Sequence, residues 1–74
     1  MKQVIGSAIA AKRKEMGLTQ KELADLVGAN QIQVSRWENG KHLPTLEQFV
    51  VIADTLNSSL DELAGLSAVK PQTR

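Results

Sequence analysis

The chain has no cysteine, and its 74 residues include one histidine, one tryptophan and one phenylalanine. Without cysteine, neither a disulfide framework nor a thiolate metal site is available to stabilise it. A chain this short buries only about 60% of the surface that its unfolded form exposes. Stability therefore has to come from a compact, well-packed fold. One histidine, and carboxylates that read as helix caps or exposed faces, leave no clustered acid–base pair, nucleophile or metal-ligand set. An enzyme, a metal site and a cofactor are not expected. No apolar run approaches the roughly 18 residues that span a bilayer. The N-terminal MKQVIGSAIAAKRK loosely imitates a secretory signal, but Gly6 and Ser7 interrupt its apolar run and the residues serve better as a helix stripe. A soluble, cytoplasmic protein without a membrane partner is the expectation.

What is present is 42% hydrophobic and 23% charged, a globular composition. The net charge is only +1 but unevenly spread. Residues 1 to 41 carry seven Lys/Arg and four Asp/Glu, and residues 42 to 74 carry two and four. That asymmetry suggests a basic side facing an anionic partner.

The chain repeats one local device. Thr19 with Glu22, Thr45 with Gln48 and Ser59 with Glu62 each match the capping box, in which a hydroxyl and a side chain three residues on satisfy free donors at a helix start. Asn30 with Gln33 is the same device with an amide at the cap. Gly17, Gly28, Gly40 and Asn57 stand where a left-handed residue would close the preceding helix. Five helices are predicted, at 3 to 16, 20 to 27, 31 to 39, 46 to 56 and 60 to 65, and no strand pattern competes. Residues 67 to 74, which lack periodicity and contain Pro71, read as a tail or linker after a domain spanning 1 to 66.

Helical spacing predicts inward stripes of Ile5, Ala8, Ile9 and Met16; Leu23, Ala24 and Val27; Val34 and Trp37; Leu46, Phe49, Val50, Ala53 and Leu56; and Leu60 and Leu63. Two charges fall at core-side angles. Arg13 lies one turn beyond Ile9, and Glu38 lies about 40° from Val34. They are expected to pair, bidentately, tying the first helix to the end of the third.

The stretch NQIQVSRWENG, Asn30 to Gly40, has a second face. Ile32 and Arg36 point within roughly 20° of the direction opposite Val34 at about 100° per residue. Single exposed aliphatics and outward Arg or Gln are ordinary solvated surface, so spacing alone does not assign this face a role. The second and third predicted helices are joined by only Gly28-Ala29-Asn30, with the small Ala24 where they would cross, which is a helix-turn-helix arrangement.

Over about residues 5 to 66, the segment LTQKELADLVGANQIQVSRWENGKHLPTLEQFVVIADTLNSSLDEL is similar to Cro and lambda-repressor-like (Xre-type) helix-turn-helix domains. The blocks L-T-Q-x-E-L-A, W-E-N-G-K, P-T-L-E and S-L-D-E-L are specific in combination. The resemblance implies an all-α five-helix domain that binds a pseudo-palindromic double-stranded DNA operator as a homodimer and acts in transcriptional repression. By position, Gln31, Ile32 and Arg36, with Ser35 beside them, match the base-reading residues. Gln20, Asn39 and Lys41 match phosphate contacts. Dimerisation through the fourth and fifth helices would use Val51, Leu60 and Leu66. Lys12 departs from the pattern, replacing a usually apolar residue, with a stem that can snorkel past the core edge.

Side-chain chemistry agrees with these roles. Arg36 suits O6 and N7 of guanine, Gln31 suits N6 and N7 of adenine, and Ile32 suits a thymine methyl. Gln20, at a helix start, offers an amide and free backbone donors to a phosphate. By angle, Trp37 reads as a core residue, and His42 as a solvated loop histidine. An alternative of another class is an antitoxin or adaptor whose main partner is a protein.

Overall fold

All four capping pairs form in the computed structural model, which describes residues 1–64. Thr19 Oγ1 accepts the Glu22 N–H at 3.0 Å while Glu22 Oε1 accepts the Thr19 N–H at 2.8 Å. The Asn30–Gln33, Thr45–Gln48 and Ser59–Glu62 pairs repeat this exchange. Losing such a cap typically costs about 1 kcal/mol, so four of them matter in a small domain. They start α2 (Gln20–Val27), α3 (Gln31–Glu38), α4 (Leu46–Thr55) and α5 (Leu60–Leu63), which follow α1 (Lys2–Glu15). Every regular element among the described residues is a helix. Only the fifth element departs much from expectation, being a single turn where 60 to 65 was predicted. The expected tail, 67 to 74, and Leu66 lie outside the described residues.

Helices α1 to α4 end alike. An N–H two residues past the end of α2, and three past the ends of α1, α3 and α4, returns to a carbonyl in the last turn: Leu18 to Arg13, Ala29 to Ala24, Lys41 to Arg36 and Ser58 to Ala53, at 2.8–3.1 Å. The residue before each donor is left-handed, and at Asn57, where φ is 52°, it is not a glycine.

One core joins the five elements: Ile5, Ile9, Leu23, Ala24, Val27, Val34, Trp37, Ile52, Ala53, Leu56 and Leu63, with Ala8 and Phe49 packed against it. Four expected core residues lie outside it. Met16 follows the end of α1 and is half exposed, and Leu60, the first residue of α5, is also exposed. In α4 the buried line is Phe49, Ile52, Ala53 and Leu56, so Ile52 replaces Val50. The unbroken apolar run FVVIA leaves the helical phase ambiguous, and Val50 falls about 110° from the centre of the buried arc. Leu46, about 70° from that centre and the first residue of the helix, is 74% exposed.

Gly6 fixes how α1 lies on α3. It is buried, and a Cβ there would land on the Trp37 carbonyl oxygen and 2.9 Å from that of Glu38. In the sequence Gly6 shows only as a break in an apolar run; in the fold it permits the backbone crossing that sets α3. On the far side of α1, Lys12 Nζ lies 3.8 Å from the Glu15 carboxylate and 3.8 Å from that of Glu62. A lysine in place of an apolar residue thus keeps its charge at the core edge and reaches α5.

Candidate nucleic-acid interface

The site begins with the buried charges behind it. Arg13 is 8% exposed. Its Nε donates to Glu38 Oε2 at 2.6 Å and its Nη2 to Glu38 Oε1 at 3.0 Å, the two-pronged geometry that suits a guanidinium and a carboxylate. Nη1 donates to the Leu18 carbonyl at 2.7 Å, so Arg13 holds the turn after α1 as well as the end of α3. The hydrogen bond to Glu38 raises the Arg13 pKa above its ordinary value, against the desolvation that lowers it.

Glu38 has a further partner, 18 residues away in the chain. Gln20 Nε2 donates to Glu38 Oε1 at 3.0 Å. A carboxylate is here an acceptor only, so the Gln20 nitrogen must face it. The first residue of α2 is thereby fixed against the last residue of α3. The amide oxygen and the second Nε2 hydrogen remain for the outer side.

That outer side is a shallow cavity of about 400 Å³ lined by Gln20, Gln31, Ile32, Ser35, Arg36, Asn39 and Lys41. These are the seven residues to which the sequence reading gave base or phosphate roles. Helix α3 contributes Gln31, Ile32, Ser35 and Arg36 to this cavity, Ile32 and Arg36 from the direction opposite Val34, while Val34 and Trp37 of the same helix are buried. Ile32 is 62% exposed among amides and a guanidinium. No carboxylate lines the cavity, and Arg36 and Lys41 supply positive charge.

Asn39 is arranged differently from a free phosphate grip. Its Nδ2 donates back to the Ser35 carbonyl at 2.9 Å and lies 3.2 Å from Ser35 Oγ. Asn39 and Ser35 therefore brace each other along the last turn of α3. A phosphate reaching Asn39 would have to exchange with these bonds. Lys41 is held through its backbone, whose N–H donates to the Arg36 carbonyl at 2.9 Å, while its side chain is exposed.

Two short helices, a three-residue connection and an outward polar face with one exposed isoleucine define a helix-turn-helix domain. The helix-turn-helix family model matches residues 9–63, and the chain belongs to this family, in its Xre-type branch. It is similar to RstR, a transcriptional repressor of the cryptic phage CTXphi in Vibrio cholerae, with 41% identity over 82% of this chain and 54% of that protein. The chain thus spans about half the length of that curated relative. Among solved structures, it is similar to the P22 c2 repressor in complex with a synthetic operator, with a TM-score of 0.77 and 30% identity over 80% of this chain and 89% of that one. It also resembles the restriction-modification controller protein C.AhdI from Aeromonas hydrophila, with a TM-score of 0.78 and 27% identity over 84% of this chain and 94% of that one. None of the described helices is long and apolar enough to cross a membrane.

Proposed function

We propose that the chain is a sequence-specific double-stranded DNA-binding regulator of transcription, a cytoplasmic repressor that reads the major groove with α3. The observation that carries this reading is the composition of one concavity. A guanidinium, an amide and an exposed isoleucine, chemistries suited to guanine, adenine and the thymine methyl, share the outward face of a helix whose inner face is anchored. The likeness to a repressor solved on its operator supports the same reading.

In this reading Arg36, Gln31 and Ile32 contact base edges, with Ser35 beside them. Gln20, Lys41 and, after exchange of its internal bonds, Asn39 hold phosphates. The protein acts as a dimer on half-sites about one helical turn, roughly 34–36 Å, apart. Val51 and Leu60 are exposed on α4 and α5 and available to a second copy.

Selection of binding sites from random duplexes, with Arg36→Ala in parallel, tests this. Arg36→Ala is expected to cost about 1–3 kcal/mol and to relax preference at one base pair per half-site. A uniform loss over all sequences would make Arg36 a phosphate contact. Affinity for a nonspecific duplex should fall steeply with added salt, because neutralised phosphates release counterions. A flat response would favour a protein partner instead.

A further inference from the structure

The hydrogen bonds between Asn39 and Ser35 fix more than the end of α3. A carbonyl oxygen can only accept, so the atom of Asn39 that lies 2.9 Å from the Ser35 carbonyl has to be the amide nitrogen, not the amide oxygen. The amide has one allowed orientation. The same nitrogen lies 3.2 Å from Ser35 Oγ, and an amide nitrogen donates without accepting, so at this contact the hydroxyl oxygen is the acceptor. The hydroxyl proton therefore points away from Asn39.

A serine inside a helix commonly gives that proton to the carbonyl four residues back. Ser35 Oγ donates to no described residue, while Ser35 lines the cavity that holds Gln31, Ile32 and Arg36. Its proton is left for whatever enters there. A free serine hydroxyl rotates to suit a donor or an acceptor and so discriminates poorly between bases. With one lone pair already taken by Asn39, this hydroxyl is biased toward donating.

We propose that Asn39 is a positioning residue that sets the Ser35 hydroxyl as a hydrogen-bond donor, so that Ser35 reads an acceptor on a base edge and disfavours cytosine. In the major groove guanine offers O6 and N7, thymine O4 and adenine N7, whereas cytosine offers only the N4 donor. The inference rests on the DNA-binding reading of α3 given above and departs from it at Asn39. Nδ2 has two hydrogens and two acceptors on Ser35, so the residue braces Ser35 or holds a phosphate, and here it braces.

The test repeats site selection from random duplexes with Ser35→Ala, Asn39→Ala and Asn39→Asp. Ser35→Ala marks the base pair concerned, at which wild type should disfavour cytosine by roughly two- to tenfold, the net worth of one neutral hydrogen bond. Asn39→Ala should relax preference at that same base pair. Asn39→Asp should reverse it, because a carboxylate accepts and cannot donate: the hydroxyl turns its proton to the carboxylate and its lone pairs to the base. Cytosine should then be favoured. The added negative charge weakens binding to every duplex alike, so the readout is the preference between bases and not the affinity.

A uniform loss over all sequences in both Asn39 variants, with the preference at that base pair intact, returns Asn39 to a phosphate and overturns the inference. So does an Asn39→Asp protein that still disfavours cytosine, or a Ser35→Ala protein that relaxes no base pair. The bracing itself is tested without DNA. In the ¹⁵N–¹H spectrum of the free protein, Ser35→Ala should shift the side-chain NH₂ pair of Asn39 while the melting temperature stays at the wild-type value. An unmoved pair overturns the inference whatever the DNA result. If wild type selects no duplex at low salt, the DNA-binding reading fails and takes the base preference with it, a result distinct from intact selection with an unchanged preference.

Discussion

Replacing Arg13 by alanine is expected to bring the domain close to unfolding. Glu38, whose side chain is 6% exposed, would keep one hydrogen bond, from Gln20, and lose both from the guanidinium. The Leu18 carbonyl would lose its donor as well. Breaking a buried ion pair from one side costs about 3–5 kcal/mol, because the charge left behind is uncompensated. A stability of about 0.05–0.15 kcal/mol per residue gives a chain of this length roughly 4–11 kcal/mol in all. At roughly 4–8 °C per kcal/mol for a domain of this size, the melting temperature should fall by roughly 12–40 °C. Urea unfolding followed by the fluorescence of Trp37, which is packed in the core beside the pair, measures the loss directly. A loss under about 1 kcal/mol, as for an exposed pair, would refute the reasoning and mean that water reaches Glu38.

Two smaller perturbations probe other parts of the fold. Gly6→Ala places a methyl group against the Trp37 and Glu38 carbonyl oxygens, which are backbone and have little room to yield. A loss of about 1–3 kcal/mol is expected, with chemical-shift changes concentrated at the end of α3; a neutral substitution would show that α1 and α3 can separate without consequence. The Glu62 carboxyl is held below its ordinary value of 4.5, first by the hydrogen bond from the Ser59 backbone and then by the Lys12 charge. Its folded pKa is thus depressed, and its contribution is present above about 4.5 and lost as pH falls through the lower folded value. The stability difference between wild type and Glu62→Gln should therefore be measurable in urea at pH 6 and shrink as the pH is lowered below about 4.5. A constant difference across that range would remove the charge from the account.

Local devices were legible in the sequence because they depend on spacing alone. A capping box needs two residue types three positions apart, and the Arg13–Glu38 pair needs two charges on core-side arcs. The phase of α4 was not legible, because five consecutive apolar residues carry no amphipathic contrast, and the choice of Ile52 over Val50 was made by contacts with other helices. The role of Gly6 is hidden in the sequence for a related reason. A glycine required by a backbone crossing looks the same in sequence as one that interrupts a stripe. The outward face of α3 was legible by angle, but its bracing was not. Gln20 and Glu38 are 18 residues apart and meet only once α2 and α3 are docked. The orientation of the Gln33 and Gln48 amides was within reach, since a capping box that uses the glutamine oxygen must point the nitrogen away from the helix start.

The position of the ion pair bears on why it is there. A buried pair is weak evidence for stability, since well-packed apolar residues of similar volume often do as well or better. On stability alone, the double variant Arg13→Met/Glu38→Leu should therefore match wild type within about 1 kcal/mol or exceed it. What apolar residues cannot replace is the acceptor for Gln20 Nε2. Without Glu38 the Gln20 amide is free to rotate, and the start of α2 no longer presents a defined donor beside α3. The double variant should therefore melt like wild type and bind operator more weakly, with the loss absent when Gln20 is already alanine. Equal losses in both backgrounds would mean that the pair acts on DNA binding by another route. Undiminished binding would leave it a stability device only.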